Sequence, residues 1–297
     1  MSSSKLISDT LQRSARIRGA FHELNKYAAH PAYGVPLEQV KSALEAQKGA
    51  PPKSTPRQAP AENDLVGRLL QDNQDIWDQL CNHTFPHNVM GTMKTTDPGY
   101  KNAVAGFAWY MVQDFKYCTR EMVFQIERAT KSTSTDEFTA TTAKVKNYCG
   151  YVDDSLALCV AAPPAGLGLN DKQVLQADST DALNYYTDFQ LITAKDNNWA
   201  LGLVAMIPCV QSYWTIANSL KNNPDVDRIW YNLWIAPNSD YANSGIPGQI
   251  AFFEQNYVEW KDHYEEAKEI FRQACMGEIN LWGITANPPS WLNVQKN

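Results

Sequence analysis

PGYKNAVAGFAWYMVQDFKYCTREMVFQIERATK (98–131) is the stretch on which the fold turns. Past its opening Pro98-Gly99, no turn signal interrupts it, and Phe107, Met111, Asp114, Cys118 and Met122 follow one another at three- and four-residue intervals. That spacing predicts one long helix with an apolar stripe. In the middle of the stripe stands Asp114, with Tyr110 four residues before it and Tyr117 three after, on the same side. A bare carboxylate is expensive to bury unless it is hydrogen-bonded. Asp114 is therefore either half of a structural Asp–Tyr pair tying helices together or a ligand anchor whose raised pKa suits a base.

Working outward, helical periodicity continues over 64–81, 136–161, 179–196, 198–221, 224–236 and 247–282, the last in one or two pieces. Loops are expected at 82–97, 163–178 and 237–247. No segment alternates polar and apolar residues between turn signals, so the fold class is all-α, a multi-helix bundle. Toward the N-terminus, 5–27 and 36–48 also have helical spacing, and PPKSTPRQAPAE (51–62) carries four prolines and no large apolar residue. That stretch reads as an extended linker. The expected organisation is an N-terminal helical appendage with its proline-rich linker, 1–62, followed by a helical domain, 63–297.

Composition narrows the function. The chain has 297 residues, 26 Lys and Arg against 32 Asp and Glu, and a net charge of −6, which does not favour nucleic acid. No apolar run approaches the roughly 18–20 residues of a membrane span, so no membrane partner is expected. The first twenty residues lack the continuous apolar stretch of a secretion signal, and the expected location is cytoplasmic. Six cysteines show no CxxC pair and read mostly as small buried hydrophobes in a reducing compartment. There is no nucleotide loop and no GxSxG elbow, which argues against kinase, Rossmann and serine-hydrolase classes. His83 and His87 are four apart, but Pro86 lies between them and no further ligand motif joins them, so they read as loop histidines and no metal is expected.

Two more stripes carry polar residues. In 198–221 the row is Gly202, Ala205, Met206, Cys209, Tyr213 and Ile216, with Pro208 inside it. A proline there removes a hydrogen bond and frees the Val204 carbonyl, which predicts a kink beside Cys209. Cys209 is either inert packing or a thiol placed for chemistry. In the last helix Tyr264, Ala267, Phe271, Ala274, Glu278 and Leu281 share a face. Two acids and a thiol on three inward stripes, rimmed by tyrosines, read as a site with a nucleophile, a carboxylate anchor and an acid/base.

The elements W-Y-M-V-Q-D-F-K-Y (109–117), N-Y-Y-T (184–187), I-P-C-V-Q-S-Y (207–213) and G-E-I-N-L-W (277–282), in that order, resemble the TenA family of aminopyrimidine hydrolases, or thiaminase II. The resemblance covers about 64–285. It implies an all-α fold similar to haem oxygenase, used without haem or any other cofactor, in a homo-oligomer, a dimer or tetramer.

Carried over by motif, Cys209 matches the family's catalytic thiol, Glu278 its acid/base, and Asp114 the carboxylate that holds the pyrimidine ring nitrogen and amino group. Tyr117, Tyr186 and Tyr213 match site tyrosines, and Tyr110 joins them from its place on the Asp114 stripe. In W-I-A-P-N (234–238), Asn238 stands where the family has tyrosine, and Tyr241 in the following loop can substitute. Leu281 replaces a family aromatic, which implies less flat surface for stacking. The function implied is hydrolysis of an aminomethylpyrimidine or thiamin, in thiamin-pyrimidine salvage. The alternatives are a diverged enzyme of this fold acting on another small molecule of specialised metabolism, and a non-catalytic ligand-binding protein.

Overall fold

A computed structural model of the chain describes residues 59–293. The helices expected at 5–27 and 36–48, and most of the linker, lie outside the described residues. Among those described there are helices and turns and no strand. The longer helices are α1 (Leu65–Asp72), α2 (Gln74–Cys81), α3 (Tyr100–Ala129), α4 (Thr135–Val160), α5 (Asp171–Gln176), α6 (Asp181–Asp196), α7 (Ile207–Leu220), α8 (Ile246–Gln255) and α9 (Tyr264–Gly283). None is long and apolar enough to cross a membrane.

Local sequence sets the helix starts. Asp64, Ser134, Asn170 and Thr180 each turn a side-chain oxygen to a backbone N–H of the first turn of α1, α4, α5 and α6. At α4 the pattern Ser134-x-x-Glu137 forms a variant capping box, with Glu137 reaching back to the Thr133 N–H at 2.6 Å. Asn73 separates α1 from α2, which the spacing over 64–81 had merged; its amide donates to the Leu69 carbonyl at 3.1 Å.

α3 is the central helix. It is buried on nearly every side and packs chiefly on α4 and α6, while α9 packs on α6, α7 and α2. Gly106 lets the turn Ile284–Ala286 lie directly on α3, since a Cβ there would strike the Thr285 carbonyl. Phe107, Tyr110, Phe115, Tyr186, Phe271 and Trp282 are fully buried where these helices meet. Each such side chain contributes about 1.5–3 kcal/mol by leaving water. The buried face expected on the last helix is present from Ala267 onward: Ala267, Phe271, Ala274, Glu278 and Leu281 are all 0% exposed, while Tyr264 is only half-buried and donates to Asp72 at the surface.

Three expectations are corrected. The single kinked helix over 198–221 is instead a tighter 3-10 helix, Leu201–Met206, followed by α7. Pro208 sits in the first turn of α7, where its missing N–H costs nothing, and the Val204 carbonyl is not freed but accepts from the Ile207 N–H. The loop expected at 82–97 contains a π-helical turn, Phe85–Met90, which Pro86 opens rather than breaks, for the same reason. The loop expected at 163–178 holds α5, capped by Asn170.

Candidate active site

Four helices converge on one buried cluster. α3 brings Tyr110, Asp114 and Tyr117, α6 brings Tyr186, α7 brings Cys209 and Tyr213, and α9 brings Glu278. Tyr213 donates to Asp114 Oδ1 at 3.4 Å and accepts a short hydrogen bond from Tyr110. Tyr186 donates to Glu278 Oε1 at 2.9 Å. The Cys209 thiol stands beside the Glu278 carboxyl and the Tyr117 hydroxyl. Seven of the residues singled out in the sequence therefore share one site.

Close packing also explains how α6 and α9 approach. A Cβ on Gly277 would land inside the Tyr186 ring, so only glycine beside Glu278 lets that phenol lie flat on α9.

Burial dominates the electrostatics. It pushes Glu278 up to about 8 and Asp114 up to about 6, against the opposing hydrogen bonds from Tyr186 and Tyr213. It also drives the Cys209 thiol well above its ordinary value, a shift reinforced by the fields of Glu278, Glu121 and Asp114 and opposed by the bond to Tyr117. At neutral pH the resting site therefore holds a thiol, a mostly protonated Glu278 and a mostly ionised Asp114. Because Cys209 stands in the first turn of α7, the helix dipole favours negative charge that develops on its sulfur.

Residues that sequence reasoning missed complete the cluster. Glu121 is 1% exposed, and the Tyr117 hydroxyl lies against its carboxyl. Gln190 donates through Nε2 to the Tyr117 oxygen at 2.9 Å. Trp282 stacks on Tyr110 with centroids 4.1 Å apart and rings 2° from parallel, and Trp234 meets Trp282 edge-on at 5.3 Å. The signal was present for three of them: Glu121, Gln190 and Trp282 each lie four residues after a residue already singled out, Tyr117, Tyr186 and Glu278.

Three expected residues make other contacts. Asn238 gives its amide to the Trp234 carbonyl one turn back, at 2.8 Å. Tyr241 is 45% exposed and packs edge-on to Trp214. Leu281 is in the hydrophobic core, and its neighbour Trp282 supplies the flat wall that a leucine at 281 was expected to remove.

His83 and His87 spend ring nitrogens on backbone. His83 Nδ1 accepts from the Phe85 N–H at 3.2 Å, and the His87 ring meets the Cys81 carbonyl. His83 lines an open cleft of about 610 Å³ with Phe85, Asn102 and Thr285. That cleft contains no acid and no thiol, and Phe85, 6.0 Å from Trp282, stands between it and the aromatic wall.

Comparison with known proteins bears on the whole assembly. The model of the TENA/THI-4/PQQC family matches residues 70–287. No curated protein sequence matches the chain. Among solved structures, a TenA family transcription regulator from Silicibacter sp. superposes with a TM-score of 0.62 at 17% identity, over 75% of this chain and 97% of that one. A TenA homologue from P. horikoshii gives 0.61 at 21% identity, over 76% and 99%. A protein from Sulfolobus solfataricus, provisionally assigned as a TenA-like thiaminase, gives 0.51 at 16%, over 74% and 94%. At these identities the likeness speaks for the fold.

Proposed function

Because the chain belongs to the TENA/THI-4/PQQC family, we propose that it is a hydrolase of the thiaminase II type that cleaves an aminomethylpyrimidine or thiamin. The observation that carries this is the thiol of Cys209 standing between Glu278 and Tyr117, with Asp114 held by Tyr213 in the same aromatic-walled cluster.

An acid-rich site walled by Tyr110, Tyr213, Trp234 and Trp282 suits a flat, amine-bearing ring that becomes cationic. Asp114 pairs with the protonated ring nitrogen and the amino group. As sulfur bonds to the electron-poor carbon, the thiol proton passes to Glu278 in the minor fraction of sites where that carboxyl is ionised at neutral pH. Glu278 returns it to a departing amine as that bond breaks, whereas the thiazole of thiamin, joined through a quaternary nitrogen, leaves neutral with the bonding pair; water then replaces sulfur and its proton restores the thiol. A carboxyl poised at about 8 can serve both transfers near neutral pH.

A second reading, a diverged enzyme of this family acting on another small molecule, is favoured by two observations: Asn238 and Tyr241 are turned to other partners, and a further buried acid, Glu121, is present. The deciding assay is turnover of 4-amino-5-aminomethyl-2-methylpyrimidine by wild type and Cys209→Ala. Turnover that falls about a thousandfold or more in the variant supports the first reading. Full activity in Cys209→Ala removes the nucleophile, and an inactive wild type promotes the second reading. Homo-oligomer formation remains part of the proposal, to be checked by light scattering.

A further inference from the structure

The mechanism above leaves Glu121 without a task, although it is a buried acid one helical turn beyond Tyr117. A phenol has one proton and two lone pairs. One lone pair of Tyr117 is taken by Gln190 Nε2 at 2.9 Å. The orientation of that amide is fixed, because the same nitrogen donates to the Ala205 carbonyl at 3.3 Å. One lone pair remains, and the one proton points to the Met206 sulfur at 3.5 Å, with the Glu121 carboxyl and the Cys209 thiol beside the same hydroxyl.

The protonation state of Glu121 decides how they are used. An ionised carboxylate only accepts, and it outcompetes sulfur for the phenol proton. A protonated carboxyl donates into the free lone pair, and the phenol proton is left for sulfur. Glu121 Oε2 has no hydrogen-bond partner among the described residues, and a carboxyl so placed keeps its proton. Of the groups facing it, Arg128 on α3 favours ionisation and Glu278 on α9 opposes it. Tyr148 on α4, Tyr186 on α6 and Cys209 on α7 also face it, and burial keeps all three neutral.

We propose that Glu121 is a positioning residue: its carboxyl proton goes to the Tyr117 oxygen, so that the phenol's own proton is held toward Cys209 Sγ. The thiolate formed when Glu278 takes the thiol proton then meets a donor already in place. This rests on Cys209 being the reactive thiol, but it needs no particular substrate.

The test compares Glu121→Gln, which keeps a donor, with Glu121→Met, which fills the space without one, each with Tyr117 or Tyr117→Phe in the full chain. The rate of Cys209 alkylation by iodoacetamide is read by mass spectrometry of its peptide, with exposed Cys149 as the internal control. The glutamine variant should react about fivefold to tenfold faster than the methionine variant, and the ratio should fall to about one with Tyr117→Phe. Equal rates in the Tyr117 background would overturn the proposal, because a space-filling or purely charge-based role predicts them. So would an unchanged ratio in the phenylalanine background. Glu121→Leu replaces the methionine variant should that fail to fold. A Cys209 that alkylates no faster than Cys275 of the core would overturn the reading of the thiol and this inference with it; a ratio of one overturns this inference alone.

Discussion

Two buried polar stripes run along α3, and they are built on opposite plans. Gln113, Lys116 and Arg120 occupy one. Gln113 behaves like a peptide group, donating to the Asp178 carbonyl at 3.0 Å and accepting from the Thr180 N–H at 2.8 Å, while Arg120 donates to Thr187 and Ser179. This stripe fastens the start of α6. Tyr110, Asp114, Tyr117 and Glu121 occupy the other, where acids sit among phenols and a thiol, burial raises the acids, and oxygens such as Glu121 Oε2 and Glu278 Oε2 lack a hydrogen-bond partner among the described residues. Burial of polar groups is common to both. The raised acids belong to the second, and α6, which the first stripe anchors, delivers Tyr186 and Gln190 into it.

The contrast breaks if the two stripes respond alike to pH. The folded pKa of Glu278 lies above its unfolded value, so the folded state holds a proton that the unfolded chain releases. Its contribution is fully present below about 4.5 and is lost as pH rises toward about 8, at about 1.4 kcal/mol per pH unit. Urea denaturation between pH 5 and 8 should show a decline steeper in wild type than in Glu278→Gln, which keeps only the share of Asp114 and Glu121; parallel curves would refute it. Next in size, Gln113→Leu leaves two backbone groups unmet and should cost about 2–4 kcal/mol. The loss should be the same at pH 5 and pH 8, and a pH-dependent loss would blur the distinction.

Asp114→Asn sharpens the comparison. Its affinity for the aminopyrimidine, measured by calorimetry at pH 7, should fall about tenfold while stability at pH 7 does not fall, since the carboxylate that burial disfavours is gone. Unchanged affinity would move Asp114 to the structural plan. The smallest effect concerns the chain before the bundle. Glu62, at the end of the expected linker, is held by the Tyr257 hydroxyl and by Arg68. A chain starting at Ala59 keeps those contacts and should unfold within about 0.5 kcal/mol of the full chain. Aggregation on truncation would mean that the appendage packs on the bundle or between subunits.

Periodicity made the fold legible because the core helices bury regular stripes. What it missed followed from single residues. Asn73 and Pro208 divide segments whose apolar spacing runs on unbroken, and a proline's effect depends on whether it opens a helix or lies within one. At the site, Asp114, Cys209 and Glu278 stood out as polar residues on apolar rows. Glu121, Gln190 and Trp282 needed only those rows followed one more turn. The places of Asn238 and Tyr241 were not legible, because a short segment outside a long helix takes its direction from its own local bonds.

Gly277 has a dynamic consequence. The Tyr186 ring is pressed on one side to the bare Cα of Gly277 and stacks on the other against Tyr117, with centroids 5.6 Å apart. Turning that ring by half a revolution requires α6 and α9 to part, whereas the exposed ring of Tyr151 turns freely. Nuclear magnetic resonance should therefore resolve separate signals for the two edges of Tyr186 at temperatures where Tyr151 shows one averaged pair. The opening rate of the bundle at the candidate site can thus be timed from a single side chain, with no ligand bound.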